Sequence, residues 1–296
     1  MAITTTIKNK IKQLKEEYDS LQKGKESLLV MIDEAEIPES VYNSNAIENS
    51  TLTLKDTEMI LLDMELSSDF SLREVFEAKN LARVIEYLHS KRKTIQLNKE
   101  TILLLHQMLI GNIDDSIAGR FRKQGEYVRV GTHIAPAPEH VESMIDSILS
   151  EYLNTDIYFL DAIARFHLEF ETIHPFNDGN GRIGRILICM LLQKLNLPMI
   201  IIRDKEKQTY YKSFHEYRDN NKNTKIMEKV LVLALIESLH KRNTYLKGEK
   251  IIFLSEYIKN NKLSASAITN AARRQSIPAF REKGIWKISE EFKYIK

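Results

Sequence analysis

Apolar positions recur at helical spacing along most of the chain, beginning with Ile7, Ile11, Leu14, Tyr18 and Leu21 among Lys, Gln and Glu. Such a stripe needs a partner, either the chain's own core or a second subunit. Similar patterns run through about Leu54 to Leu66, Ser71 to Lys93 and Lys99 to Ile110, the second opened by a Ser71-x-x-Glu74 capping box. From Tyr127 to Gly131 the residues favour extended structure, and Ile134-Ala135-Pro136-Ala137-Pro138 ends the run, which predicts a small hairpin or extended flap. Helical periodicity returns over Val141 to Tyr152 and Ile157 to Ile173, breaks at His174 to Gly181, and resumes over Arg182 to Leu195, Gln208 to Tyr217 and Ile226 to Tyr245. The apolar run Val230 to Ile236 marks the last of these as a central core helix. After Lys247-Gly248 the pattern predicts two short helices, the second over Ser264 to Arg274, and then a hairpin over Ile277 to Ile288.

A chain of 296 residues exceeds the usual single domain, so one large core with a small appendage is expected. The division read from the pattern is an N-terminal helical segment at 1–34, a main domain at 35–246 and a small domain at 247–296. The apolar fraction of 43% and charged fraction of 28% are those of a soluble globular protein and exclude a disordered chain. The only cysteine, Cys189, lies in an apolar run and excludes an intramolecular disulfide or a cysteine-built metal site. With no apolar stretch of membrane-spanning length and no signal-like N-terminus, a cytoplasmic protein is expected. The net charge of +2 is uneven: residues 261–296 carry eight Lys/Arg against three Glu, which leaves the remainder at −3.

Nothing in core packing asks for the polar, glycine-rich break His174-Pro175-Phe176-Asn177-Asp178-Gly179-Asn180-Gly181-Arg182-Ile183-Gly184-Arg185. Gly179 and Gly181 let backbone amides converge at a helix N-terminus, an arrangement that binds phosphate. Arg182 and Arg185, three residues apart, would flank the turn; two cations there oppose the helix dipole unless an anion is bound. Asp178 offers a hard oxygen, and one carboxylate plus substrate phosphates is the usual way to hold magnesium. His174 has the pKa range of a general base for an attacking hydroxyl. Phe176 is expected to anchor the loop in the core.

At these residues the sequence resembles the Fic family, whose signature His-Pro-Phe-x-Asp/Glu-Gly-Asn-Gly/Lys-Arg-x-x-Arg is matched in full. The resemblance implies a mainly α fold: a helical Fic core with a small hairpin flap. It further implies an adenylyltransferase that moves AMP from ATP, with Mg2+, onto a Ser, Thr or Tyr hydroxyl of a target protein, its own chain included. His174 would be the base, Asp178 the magnesium ligand, and Gly179, Asn180 and Gly181 the holders of the α-phosphate region. Arg182 and Arg185 would meet the distal phosphates, Tyr210 and Tyr211 the adenine, and Val128, Val130 and Gly131 an extended target segment. Relatives that phosphorylate instead carry Lys at the position of Gly181. Donors of UMP, GMP or phosphocholine remain rivals, and a homodimer is a habit of the family.

The run Ser44-Asn45-Ala46-Ile47-Glu48-Asn49 resembles the family's inhibitory motif Ser/Thr-x-x-x-Glu-Gly/Asn. By that resemblance Glu48 pairs with Arg185 and keeps ATP from a productive pose, and a carboxylate so placed also suits removal of AMP. The basic tail, with Ile277 to Arg281 and Trp286 to Ile288, is similar to winged-helix or helix-turn-helix modules. It would bind DNA or a protein, or pack on its own catalytic domain. The rival to an enzyme is a repressed Fic scaffold that acts as a DNA-binding or partner-binding regulator.

Overall fold

The computed structural model describes residues 3–62 and 70–294, and twelve helices lie among them. The N-terminal stripe is closed within the chain: α1 (Thr5–Leu21) packs along α10 (Lys225–Lys247) and buries Ile11 and Tyr18. α2 (Glu26–Ile47) runs unbroken through residue 34 and contains Pro38. The apolar pattern did not predict this helix, because Leu29, Ile32, Ile37, Val41 and Ile47 are buried around much of its circumference and form no single stripe.

The C-terminus of α2 closes in a Schellman motif. Asn49 takes the left-handed conformation at φ 69°, its N–H reaches Ala46 O at 3.0 Å, and the Ser50 N–H reaches Asn45 O at 3.0 Å. The chain then enters α3 (Leu54–Leu61) through a reciprocal capping box between Thr53 and Asp56. The part of the expected helix from 63 to 66 lies outside the described residues. At α4 (Leu72–Lys91) Ser71 caps the Glu74 N–H, but the expected return bond is not made. Glu74 instead accepts from the Thr51 N–H and hydroxyl, both at 2.8 Å, which fastens the segment after α2 to α4.

α5 (Lys99–Ile110) is capped by Asn98 and leads to the predicted hairpin, β1 (Arg129–Val130) paired antiparallel with β2 (His133–Ile134). α7 (Phe159–Ile173) and α9 (Lys207–Asp219) pack on α10, whose central run is buried nearly all round as predicted, and α6 (Pro138–Leu153) and α8 (Asn180–Lys194) pack on α7. One apolar core extends from Ile3 to Leu246. The tail forms β3 (Ile251–Phe253), α11 (Leu254–Asn260), α12 (Ala265–Arg273), β4 (Phe280–Glu282) and β5 (Ile285–Ser289), with sheet order β3-β5-β4. The strand β3 is too short to show in the apolar pattern. This tail has its own small core around Tyr257, Ile268, Ala272 and Ile288.

Buried charge ties α2 to α10. Arg242, 1% exposed, donates to Asp33 and Glu36, both at 2.6 Å, and to Ser238 Oγ at 2.7 Å. Arg242→Met leaves two carboxylates short of their cation and is expected to lower stability by about 3 kcal/mol, read as a lower midpoint in urea denaturation. Asn49→Val forces a β-branched residue into the left-handed region and is expected to cost about 1–2 kcal/mol, whereas Asn49→Gly leaves the thermal midpoint within about 2 °C of wild type.

Candidate active site

The loop between α7 and α8 is shaped by its own side chains. His174 ends α7 in the left-handed conformation, φ 49° and ψ 63°, with its N–H on Phe170 O. Asn180 bridges the turn: its Oδ1 accepts the Phe176 N–H at 2.9 Å and its Nδ2 donates to Phe176 O at 2.8 Å. Phe176 is fully buried and stacks on His106 at 3.7 Å, the core anchor expected of it. His106 accepts the Gly119 N–H at Nδ1, so Nε2 carries the proton and donates to Asp178 O at 3.0 Å. Burial pushes the His106 pKa down to about 4, so this strut stays neutral.

Arg122 performs the same service from the other side. Its buried guanidinium donates to the carbonyls of His174, Glu126 and Pro136 at 2.9 to 3.0 Å, and its N–H reaches Pro175 O. The hairpin is pinned through His133 to Thr172 O at 2.9 Å, which leaves Val130 and Ile134 exposed and places Val130 and Gly131 at the mouth of a cavity of 520 Å³. Val128 holds the hairpin base, its carbonyl accepting the Ala135 N–H. His174, Gly181, Arg185 and Glu48 line the same cavity.

Arg185 lies at its base, 7% exposed. Three acceptors from α2 and its C-cap surround the guanidinium: Ser44 Oγ at 2.9 Å, Ser44 O at 2.8 Å and Glu48 Oε1 at 2.9 Å. Gly181 leaves room for this, since a Cβ there would collide with Glu48 Oε1. The carbonyls at the end of α2 also receive donors from α9: Tyr211 satisfies Ile47 O at 2.7 Å, and Lys207 adds a second bond at 3.2 Å to Ala46 O.

Not every expected residue turns to the cavity. Arg182 is buried and pairs with Glu77 of α4 at 3.2 Å and with Asp178 at 3.1 Å, and it is not part of the cavity wall. The Asn180 side chain is fully engaged within the loop, leaving its backbone at the α8 N-terminus as the group available to phosphate. Tyr210 does line the cavity, but it is 1% exposed and its hydroxyl meets His167 Nε2 at 2.8 Å and Arg185 at 3.5 Å. Tyr211, half-buried, keeps part of its ring on the cavity.

Electrostatics separate the titratable groups. Burial, reinforced by Arg122, lowers His174 to about 4, so the imidazole is an uncharged base at neutral pH. Glu171, one turn earlier, is pushed up to about 8 by burial and then by Glu48, with Arg185 opposing. Its Oε2 lies 3.7 Å from His174 Nδ1. Burial alone would raise Asp178, but Arg182, Arg73 and the Gly179 N–H outweigh it and hold the carboxylate ionised. Arg122 and His106 carry no sequence signal, because their partners are backbone atoms or residues distant in the chain; Glu171 lies three residues before His174 but reads in the sequence as an ordinary helix carboxylate.

Residues 96–192 match the Fic/DOC family. A protein adenylyltransferase Fic of Nematostella vectensis is 30% identical over 213 residues, covering 70% of this chain and 49% of that protein. One of Drosophila willistoni is 30% identical over 176 residues, covering 58% of this chain and 35% of that protein. The chain thus spans half the length of these curated relatives or less. A Fic domain containing signaling protein of Bacteroides thetaiotaomicron superposes with a TM-score of 0.73 at 28% identity, covering 81% of this chain and 98% of that one. A Fic family protein of Desulfovibrio desulfuricans shares the fold over the whole chain, with a TM-score of 0.66 at 19% identity and coverage of 100% and 99%. Loop, cavity and comparisons agree that this chain carries a Fic domain of the Fic/DOC family over residues 96–192.

Proposed function

We propose that the protein transfers AMP from ATP to a hydroxyl of a target protein, its own chain included, and that Glu48 holds it inactive. The observation that carries this reading is the buried Arg185, coordinated by Ser44 and Glu48 where a nucleotide's terminal phosphate would otherwise be its anion. The adenylyltransferase names of the relatives support ATP as donor.

With Glu48 withdrawn, Arg185 and the amide groups at the start of α8 would draw the phosphates into line across the cavity mouth. His174, uncharged and buried beside that mouth, would take the proton of the attacking hydroxyl. The oxygen would then attack the α-phosphorus, and the bond to the pyrophosphate leaving group would break. The exposed β1–β2 hairpin has unpaired outer edges suited to align an extended target segment by added strand pairing. Tyr211 and the wall around it would receive the base.

Asp178 is the residue suited to magnesium. Among the described residues no cluster of three His, Cys, Asp or Glu could hold a metal, but an Asp with substrate phosphates forms the sparse donor set that magnesium accepts. Its carboxylate is ionised and partly exposed, held by Arg73 and Arg182, and Arg73 is the more exposed of the two. Bound there, the metal would neutralise charge on the phosphates. A Glu48 carboxylate poised over the same cavity also suits water activation for removing AMP.

The rival reading of a DNA-binding regulator rests on α12 and its two caps, which expose Ser264, Ser266, Asn270, Arg273 and Arg274. The uncharged His174 on the cavity wall and the ionised Asp178 of the same loop favour the enzyme. No helix among the described residues is long and apolar enough to cross a membrane, and a soluble cytoplasmic enzyme fits that.

Incubation with labelled ATP and magnesium is expected to leave wild type almost unlabelled, to label Glu48→Gly, and to label Glu48→Gly with His174→Ala at least about 100-fold less, the range of a lost general base. A double variant as active as Glu48→Gly removes His174 from the chemistry. Because the folded His174 pKa is depressed to about 4, the rate in Glu48→Gly is expected not to fall as pH drops through 6.5. The acid limb should appear only near pH 4 to 5, and initial rates across pH 4 to 8 test this.

A further inference from the structure

Besides its tie to Arg242, α2 is held at two further places. At its C-terminus the acceptors on Arg185 are set, and nine residues before Glu48 stands Glu39, 4% exposed. The Glu39 carboxylate accepts the N–H groups of Lys283 at 3.0 Å and Gly284 at 2.9 Å, the two residues at the tip of the β4–β5 turn, and pairs with Arg203. Lys283 and Gly284 both have positive φ, 49° and 75°, so consecutive amides are presented to one anion. Arg203 also reaches Glu237 of α10 at 3.0 Å, and Glu237 accepts from the Arg281 side chain at 2.6 Å and its N–H at 3.0 Å. One turn earlier on α2, Lys241 bridges Glu36 at 2.9 Å and Glu282 of β4 at 3.3 Å. The hairpin of the C-terminal module therefore grips α2 through charges that have almost no water to fall back on. The hairpin core and the main core are otherwise separate apolar clusters.

We propose that the β4–β5 hairpin is a positioning element of the brake: its turn amides and the Arg203–Glu237–Arg281 network fix Glu39, and through the rigid helix they fix Ser44 and Glu48 on Arg185. This rests on the reading of Glu48 as the brake. Glu39 to Glu48 spans about 13 Å of helix, stiff enough that a shift of the hairpin moves the whole end of α2. Hydrogen bonds and ion pairs at Arg185 fail with displacements of an ångström or two. A partner that pulls the hairpin away would release Glu48 without touching the active site. Glu39 does not line the cavity and so takes no part in the chemistry.

The test uses the full chain with labelled ATP and magnesium, each variant first shown to be folded by circular dichroism. Glu39→Gln keeps the shape and removes the charge, and Arg281→Met cuts the network from the hairpin side. Each is expected to raise label at least about tenfold over wild type, the factor that a loss of about 1.4 kcal/mol produces, and to add nothing in a Glu48→Gly background. A merely structural role would lower label in both backgrounds. Amide exchange over residues 43–48 is expected to quicken in both variants. If Glu48→Gly labels while Glu39→Gln and Arg281→Met stay as silent as wild type with unchanged exchange, the clamp is overturned and the brake stands. A further rise in the Glu48→Gly background also overturns it, since Glu39 would then act on something else. If Glu48→Gly is itself silent, the reading of the brake fails and exchange alone decides: faster exchange supports the clamp and unchanged exchange sinks it. Should Glu39→Gln not fold, Arg281→Met carries the same decision.

Discussion

A guanidinium buried to 7% exposure needs anions, and the structure is arranged around which anion Arg185 receives. In the present state the Glu48 carboxylate at the α2 C-cap is that anion, and Ser44 adds two neutral acceptors, its hydroxyl and its carbonyl. Each neighbouring device serves that coordination. The left-handed Asn49 ends α2 at the turn where Glu48 can reach back, Gly181 clears the space above α8, and Lys207 and Tyr211 cap the helix end. On the proposed reading the same charge, once released, would take a terminal phosphate, and inhibition and substrate binding would be two occupancies of one site.

The catalytic loop depends on a second set of constraints that never touches the cavity. Asn180, His106 and Arg122 satisfy the loop's backbone groups from three sides, and the stacked Phe176 and His106 rings fix its depth in the core. Rigid support of this kind is what lets an uncharged His174 hold one orientation at the mouth of the cavity. The β4–β5 hairpin extends the arrangement outward, since the helix that carries Glu48 at its C-cap is also the helix that Lys283, Gly284 and Arg281 hold through Glu39, Arg203 and Glu237.

The helical architecture and the active-site loop were readable from the chain because their signals are local. A 3.6-residue apolar period needs only neighbours, and His174 to Arg185 concentrates its chemistry in twelve consecutive residues. α2 was not read as a helix because burial around its circumference erases the stripe, and β3 because three residues set no period. Glu74 satisfied a capping-box pattern yet bonds Thr51, a choice made by tertiary contact. Arg182 by spacing and Asn180 by the family resemblance were expected on phosphate, while here their side chains bind Glu77, Asp178 and the Phe176 backbone. The supports of the loop were silent in the sequence, since a bond from Arg122 to a carbonyl fifty-two residues away leaves no mark on spacing.

The central claim is that Glu48 and a terminal phosphate compete for Arg185, and paired binding titrations of ATP and ADP, each with magnesium, to wild type and Glu48→Gln test it most directly. Only ATP carries the phosphate in question, so the account predicts that Glu48→Gln tightens ATP by about tenfold or more, worth roughly 1.4 kcal/mol, and leaves ADP nearly unchanged. An equal change for both nucleotides, or none for either, would contradict it.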